Sequence, residues 1–117
     1  MAGKATIYHN PKCSKSTAVL ETLRAHGREV TIVPYLYNGW SAALLLRLMK
    51  AAGLTARDIL RTDEDWAVKL GLNDPAVKDA TIVAAMLVHP ELVQRPIVET
   101  EKGVRLCRPV ERVLEIL

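Results

Sequence analysis

Ala5-Thr6-Ile7-Tyr8-His9-Asn10-Pro11-Lys12-Cys13-Ser14-Lys15-Ser16 is the stretch on which the fold of this 117-residue chain turns. Ala5 to Tyr8 reads as a short strand, because Ile7 and Tyr8 favour extended backbone. Asn10-Pro11 interrupts it. A helical pattern follows from about Ser14 to His26, with Val19, Leu20 and Leu23 on one face. Gly27 stands where a left-handed helix end belongs. Val30 to Val33 is a second apolar, β-branched strand. Strand, helix, strand predicts a parallel β-α-β unit.

Beyond this unit the period stays helical. Ser41 is placed to cap a segment carrying Leu44, Leu45, Leu48, Met49 and Ala52, which Gly53 ends. Thr55 with Asp58 has the spacing of a capping box and predicts a short helix reaching Leu60. Thr62 or Asp63 is expected to start another, ending near Gly71. Asp79 starts a fourth, with Ile82, Val83, Met86 and Leu87 inward, and Pro90 stops it at His89. The last third changes period. Ile97 to Thr100 and Val104 to Cys107 read as strands, with Glu101-Lys102-Gly103 as the hairpin turn between them. Pro109 suits the first turn of a closing helix with Val110, Val113, Leu114 and Leu117 as its apolar stripe. The fold class is α/β, in the order β-α-β, four short helices, β-β-α, within one domain spanning residues 1–117.

Composition narrows the function classes. Lysine and arginine total 16 against 13 acidic residues, a formal charge of +3. That leaves room for an anionic ligand. Without a Lys/Arg run it does not describe a nucleic-acid binder. The N-terminus lacks the apolar core of a signal peptide. The longest apolar run, Ala42 to Leu46, falls far short of a membrane span. A cytoplasmic protein with two free thiols, Cys13 and Cys107, is expected. No histidines and cysteines share metal-ligand spacing, so no metal site is predicted.

Cys13 carries the chemistry. It follows a strand and a turn and precedes a helix, where backbone N–H groups lack internal partners and the helix dipole is positive. A thiolate is stabilised there, and the same N–H groups attract an anionic substrate. Lys12 and Lys15 add positive charge. His9, four residues earlier, reads equally as a nearby cation or as a hydrogen-bonding residue at the strand end. Ser16 occupies the position of the second cysteine in a dithiol motif, so any resolving thiol must come from outside or from Cys107. The thiolate loop of phosphatases would need arginine at position 19, which is valine.

Three motifs in order, His9-Asn10-Pro11-Lys12-Cys13-Ser14-Lys15-Ser16, Arg95-Pro96-Ile97-Val98 and Arg105-Leu106-Cys107-Arg108-Pro109, resemble those of the glutaredoxin-linked arsenate reductase family. The resemblance runs from Thr6 to Leu117. It implies a thioredoxin-like fold with a helical insertion in the middle, and a cis proline at Arg95-Pro96. It implies that Cys13 attacks arsenate and that Arg61, Arg95 and Arg108 bind the oxyanion. It also implies that glutathione, as co-substrate without any bound cofactor, and glutaredoxin resolve the modified sulfur. Thr17 departs from the family pattern, which usually has arginine there. Two other functions share the resemblance. One is an Spx-type redox regulator that binds RNA polymerase, against which Ser16 counts because it removes the cysteine pair. The other is a thiol oxidoreductase acting on another oxyanion or a glutathionylated substrate.

Overall fold

The computed structural model describes residues 3–117. The chain divides into two compact units, one formed by Met1–Asn38 with Arg95–Leu117 and the other by Gly39–Gln94. The first unit is built on strand β1 (Lys4–Tyr8), helix α1 (Ser14–Ala25) and strand β2 (Glu29–Val33). These form the expected parallel unit, with Ile7 beside Ile32. Strands β3 (Ile97–Thr100) and β4 (Gly103–Leu106) form the expected hairpin. β3 lies antiparallel on the other side of β1, with Ile7 opposite Val98. The sheet order is β2-β1-β3-β4. This is the thioredoxin-like arrangement of a central strand flanked by one parallel and one antiparallel neighbour.

One sheet face carries the core of this unit. Ala5 and Ile7 of β1, Val98 of β3, Val19, Leu20 and Leu23 of α1, and Cys107, Val113 and Ile116 near the C-terminus form a buried cluster. Such burial stabilises by roughly 1.5–3 kcal/mol for each large aliphatic side chain. Gly27 takes φ +76 just past α1, the left-handed turn predicted there. At the far end of the hairpin, the buried Arg28 guanidinium pairs with Glu101 and also donates to the Lys4 carbonyl. It thereby ties the start of β2 to the hairpin turn.

Three expectations in this unit need correction. Pro34 begins a short helix, α2 (Tyr35–Asn38), that the sequence pattern did not reveal. The N–H groups of Tyr37 and Asn38 both donate to the Pro34 carbonyl, and Tyr35 is buried. The closing segment Val110–Ile116 is a 3₁₀ helix instead of an α-helix. Its side chains therefore repeat every three residues. Val113 and Ile116 face inward, while Leu114 is 55% exposed. Finally, β4 ends at Leu106, so Cys107 lies just outside the strand.

The second unit contains helices α3 (Ala42–Ala52), α4 (Asp65–Lys69) and α5 (Asp79–Val88). Ser41 caps α3 as expected, its hydroxyl oxygen accepting the Leu44 N–H, and Gly53 ends it in the left-handed conformation. Thr55 and Asp58 make both bonds of a capping box, yet the residues after them form turns and no helix. Leu60 instead makes a bridge to Val93. The next helix starts at neither Thr62 nor Asp63; Glu64 is its N-cap. On α5, Ile82, Val83 and Met86 are buried, but Leu87 is partly exposed, contrary to the predicted face. Arg57 organises the connection between α4 and α5. Its guanidinium donates to the carbonyls of Leu72, Asp74 and Val77 at 3.1, 3.1 and 2.8 Å.

The two faces of the C-terminal segment and of α1 can be weighed against each other. Leu23→Ala should lower the unfolding free energy by about 2–5 kcal/mol, the cost of a cavity in a close-packed core. Leu114→Ala should change it by less than about 0.5 kcal/mol. Equal losses in a urea titration would contradict the 3₁₀ register.

Candidate functional site around Cys13

The segment between β1 and α1 is wound into a turn that presents the sulfur. Asn10 accepts twice within this turn, from the Lys12 N–H through its side-chain oxygen and from the Cys13 N–H through its carbonyl, both at 3.0 Å. Pro11 supplies the fixed φ that such a turn favours. Cys13 is then the N-cap of α1, with extended backbone, and its carbonyl accepts the Thr17 N–H at 3.0 Å. The sulfur is half-buried.

Ser16 holds this turn from below. It is fully buried. Its hydroxyl oxygen accepts the Asn10 N–H at 3.2 Å and lies 2.6 Å from His9 Nδ1. The position that a dithiol enzyme would give to a second cysteine is therefore a structural hydroxyl. Sequence reading missed this role. The available signal was a small polar residue on a helix whose neighbours Val19, Leu20 and Leu23 face the core.

His9 is itself buried. Burial, followed by the charge of Arg24, pushes its pKa down. The imidazole is thus held neutral near pH 7. Of the two readings open at the sequence level, the hydrogen-bonding one fits this environment and the cationic one does not.

The thiol is subject to opposed influences. Partial burial is the largest and pushes its pKa up. The backbone N–H groups of Ser16 and Lys15 act the other way, followed by the charge of Arg95 and a hydrogen bond from its side chain, and the net shift is downward. The sulfur makes no capping bond of ordinary geometry. The helix-start N–H groups act on it as aligned dipoles.

Arg95 precedes one cis proline, Pro96, and Arg108 precedes another, Pro109. The first was expected and the second was not. The Arg108 guanidinium donates to the Arg95 carbonyl at 3.2 Å, so the two arginines are neighbours. Neither forms an ion pair with a carboxylate among the described residues. Arg95 Nε is buried and has no hydrogen-bond acceptor. A buried guanidinium N–H without an acceptor costs on the order of 1–3 kcal/mol.

Arg61 lies in the Gly39–Gln94 unit. Its backbone N–H donates to the Leu92 carbonyl at 2.8 Å, and its guanidinium pairs with Glu64 at 3.0 Å. His9, Cys13, Arg95 and Arg108 all belong to the other unit. His89 stacks on Trp66 with ring centroids 4.0 Å apart.

Cys107 contrasts with Cys13. It is fully buried in the core cluster, and burial pushes its pKa up to about 12. Its thiolate is scarcely populated at neutral pH.

The chain is similar to known proteins along nearly its whole length. A model of the ArsC family matches residues 8–116. An arsenate reductase of Synechocystis sp. is 49% identical over 111 residues, which cover 95% of this chain and 79% of that relative. An arsenate reductase of Escherichia coli is 45% identical over 112 residues, covering 96% and 79%. The solved arsenate reductase of Vibrio cholerae superposes with a TM-score of 0.94 at 41% identity, covering 100% of both chains.

Alkylation by iodoacetamide measures the thiolate directly. In the native protein one thiol should react, with a pH midpoint below the ordinary value of about 8.5. Because Arg95 pulls the pKa down, Arg95→Ala should move that midpoint upward, so that less thiolate is present at pH 7. Cys107 should react only after unfolding. Two fast thiols in the native state, or an unchanged midpoint in the arginine variant, would contradict the assignment.

Proposed function

The chain belongs to the ArsC family, and on that premise we propose that it reduces arsenate to arsenite through the thiolate of Cys13. The observation that carries this reading is the pairing of a lowered-pKa thiol with Arg95, whose buried Nε has no acceptor. Arsenate near pH 7 is a tetrahedral anion, and an anionic sulfur approaches it only if positive charge offsets the repulsion. Arginine offers a planar fork of donors matched to such oxygens and stays charged throughout.

In the first step Cys13 sulfur bonds to arsenic and an arsenate oxygen leaves as water, with protons taken from solvent. Arsenic remains pentavalent at this stage. Arg95 and Arg108 bind the remaining oxygens and stabilise the charge that builds on them. His9 is neutral, so it acts by fixing the turn through Ser16 and not by lending charge to the sulfur.

Two electrons must then reach arsenic. Two external thiols supply them and leave joined as a disulfide, while arsenite departs and the Cys13 thiolate is restored. Glutathione and glutaredoxin are the thiols this reading assigns. The environment of Cys107 supports an external source, because a buried thiol with a pKa near 12 is a poor internal nucleophile. No bound cofactor takes part, and residues 1–117 act as one reductase domain. The relatives named arsenate reductase favour this enzyme over a polymerase-binding regulator.

The test is turnover. Purified protein supplied with arsenate, glutathione, glutaredoxin and an NADPH-coupled glutathione reductase should consume NADPH only when arsenate is present. Cys13→Ser should abolish this consumption, and Arg95→Ala should lower kcat/KM by about 100-fold, as expected when one aligned donor is removed from a water-poor site. Cys107→Ala should retain turnover. Absence of arsenate-dependent consumption by the parent protein would sink the assignment, and loss of activity in the Cys107 variant would move the resolving thiol inside the chain.

A further inference from the structure

Ser16 is fully buried, so its hydroxyl finds its partners inside the protein. A serine hydroxyl has one proton to give and two lone pairs with which to accept. One lone pair takes the Asn10 N–H at 3.2 Å. The other contact of Oγ is His9 Nδ1, at 2.6 Å. These are its two hydrogen-bond contacts among the described residues.

The place of the proton follows from what each arrangement strands. If Nδ1 carried a proton, incoming N–H groups would fill both lone pairs of Oγ. The hydroxyl proton would then be buried without an acceptor, which disfavours that arrangement by about ten-fold or more. With Nδ1 bare, every group is matched: the Asn10 N–H donates to Oγ, and the Ser16 O–H donates to Nδ1. The imidazole keeps its one proton on Nε2. That nitrogen is not among the buried side-chain atoms that lack a partner, so nothing on the ring is stranded. His26 is the opposite case. Its Nδ1 lies 2.9 Å from the Thr22 carbonyl, which only accepts, so there Nδ1 carries the proton.

The bond joins two fixed points. His9 follows β1, and its backbone N–H donates to the Val33 carbonyl of β2 at 2.9 Å. Ser16 lies in the first turn of α1. The loop between them carries Cys13. We propose that Ser16 is a positioning residue for the nucleophile: its hydroxyl donates to His9 Nδ1, fixes the ring as the Nε2–H tautomer, and so locks the helix start against the sheet beneath the sulfur. The proposal rests on the reading of Cys13 as the nucleophile. A thiol is a weak donor, so the second cysteine of a dithiol motif would not hold the ring in this way.

Nitrogen-15 NMR of the histidine rings at pH 8 reads the proton directly, because bare and protonated ring nitrogens resonate far apart. His9 should show a bare Nδ1 and a protonated Nε2, with His26 giving the contrasting pattern in the same spectrum. In Ser16→Ala the His9 ring should become a mixture of tautomers, and the alkylation midpoint of Cys13 should rise by about one pH unit. Ser16→Thr keeps the hydroxyl and should retain the parent's ring pattern and midpoint. A protonated Nδ1 on His9 in the parent overturns the proposal, whatever the variants do. So does a Ser16→Ala protein with the parent's midpoint, or a folded Ser16→Thr protein whose midpoint rises as far as that of Ser16→Ala. Neither measurement uses arsenate, so failure of the reductase reading would not be mistaken for failure of this one.

Discussion

The buried hydroxyl of Ser16 is the constraint on which the rest of the site depends. It binds the Asn10 N–H and lies against His9, so one oxygen joins the end of β1 to the first turn of α1. The loop between them then has little freedom. Cys13 is placed at the helix start because its own N–H and that of Lys12 are spent on Asn10. Without that anchor the sulfur would sit on an exposed turn, with the helix N–H groups aimed past it. A neutral, buried imidazole completes the support. Its contribution is shape, and the positive charge comes from Arg95.

Electrostatic work at the sulfur is thereby divided between backbone and side chain. The helix start supplies fixed dipoles that require no carboxylate partner. Arg95 supplies a full charge and keeps a donor unspent in a buried position. A side chain in that state is costly in an ordinary core. Arg61 is treated differently, since its charge is already matched within the chain.

Elements set by local chemistry were legible in the sequence. Strand β1, helix α1 and strand β2 follow from periodicity, and the Ser41 cap and Gly53 end of α3 from short-range hydrogen bonds and backbone freedom. The hairpin from Ile97 to Leu106 follows from its turn. Elements set by tertiary context were not. Thr55 and Asp58 formed their capping box, but a bridge from Leu60 to Val93 won the following residues for turns. The 3₁₀ closing segment shows the same effect, because packing at Val113 and Ile116 selected a three-residue repeat over the 3.6 of an α-helix. Around the sulfur, the place of Cys13 at the start of α1 was readable from its position alone. The burial of the Ser16 hydroxyl and of Arg95 Nε was not, since both depend on which polar atoms lose water on folding.

The burial of Cys107 has a consequence for how this protein ages under oxidative stress. A thiolate as accessible as Cys13 is the first target of peroxide, and it passes through sulfenic acid toward the irreversible sulfinic form. Proteins with a second reachable cysteine trap the sulfenic state as an internal disulfide and are rescued later. Cys107 is sealed in the core with its proton held tightly. Damage at Cys13 is therefore arrested only by a thiol that arrives from solution, and the survival of the protein is tied to the reducing state of its surroundings.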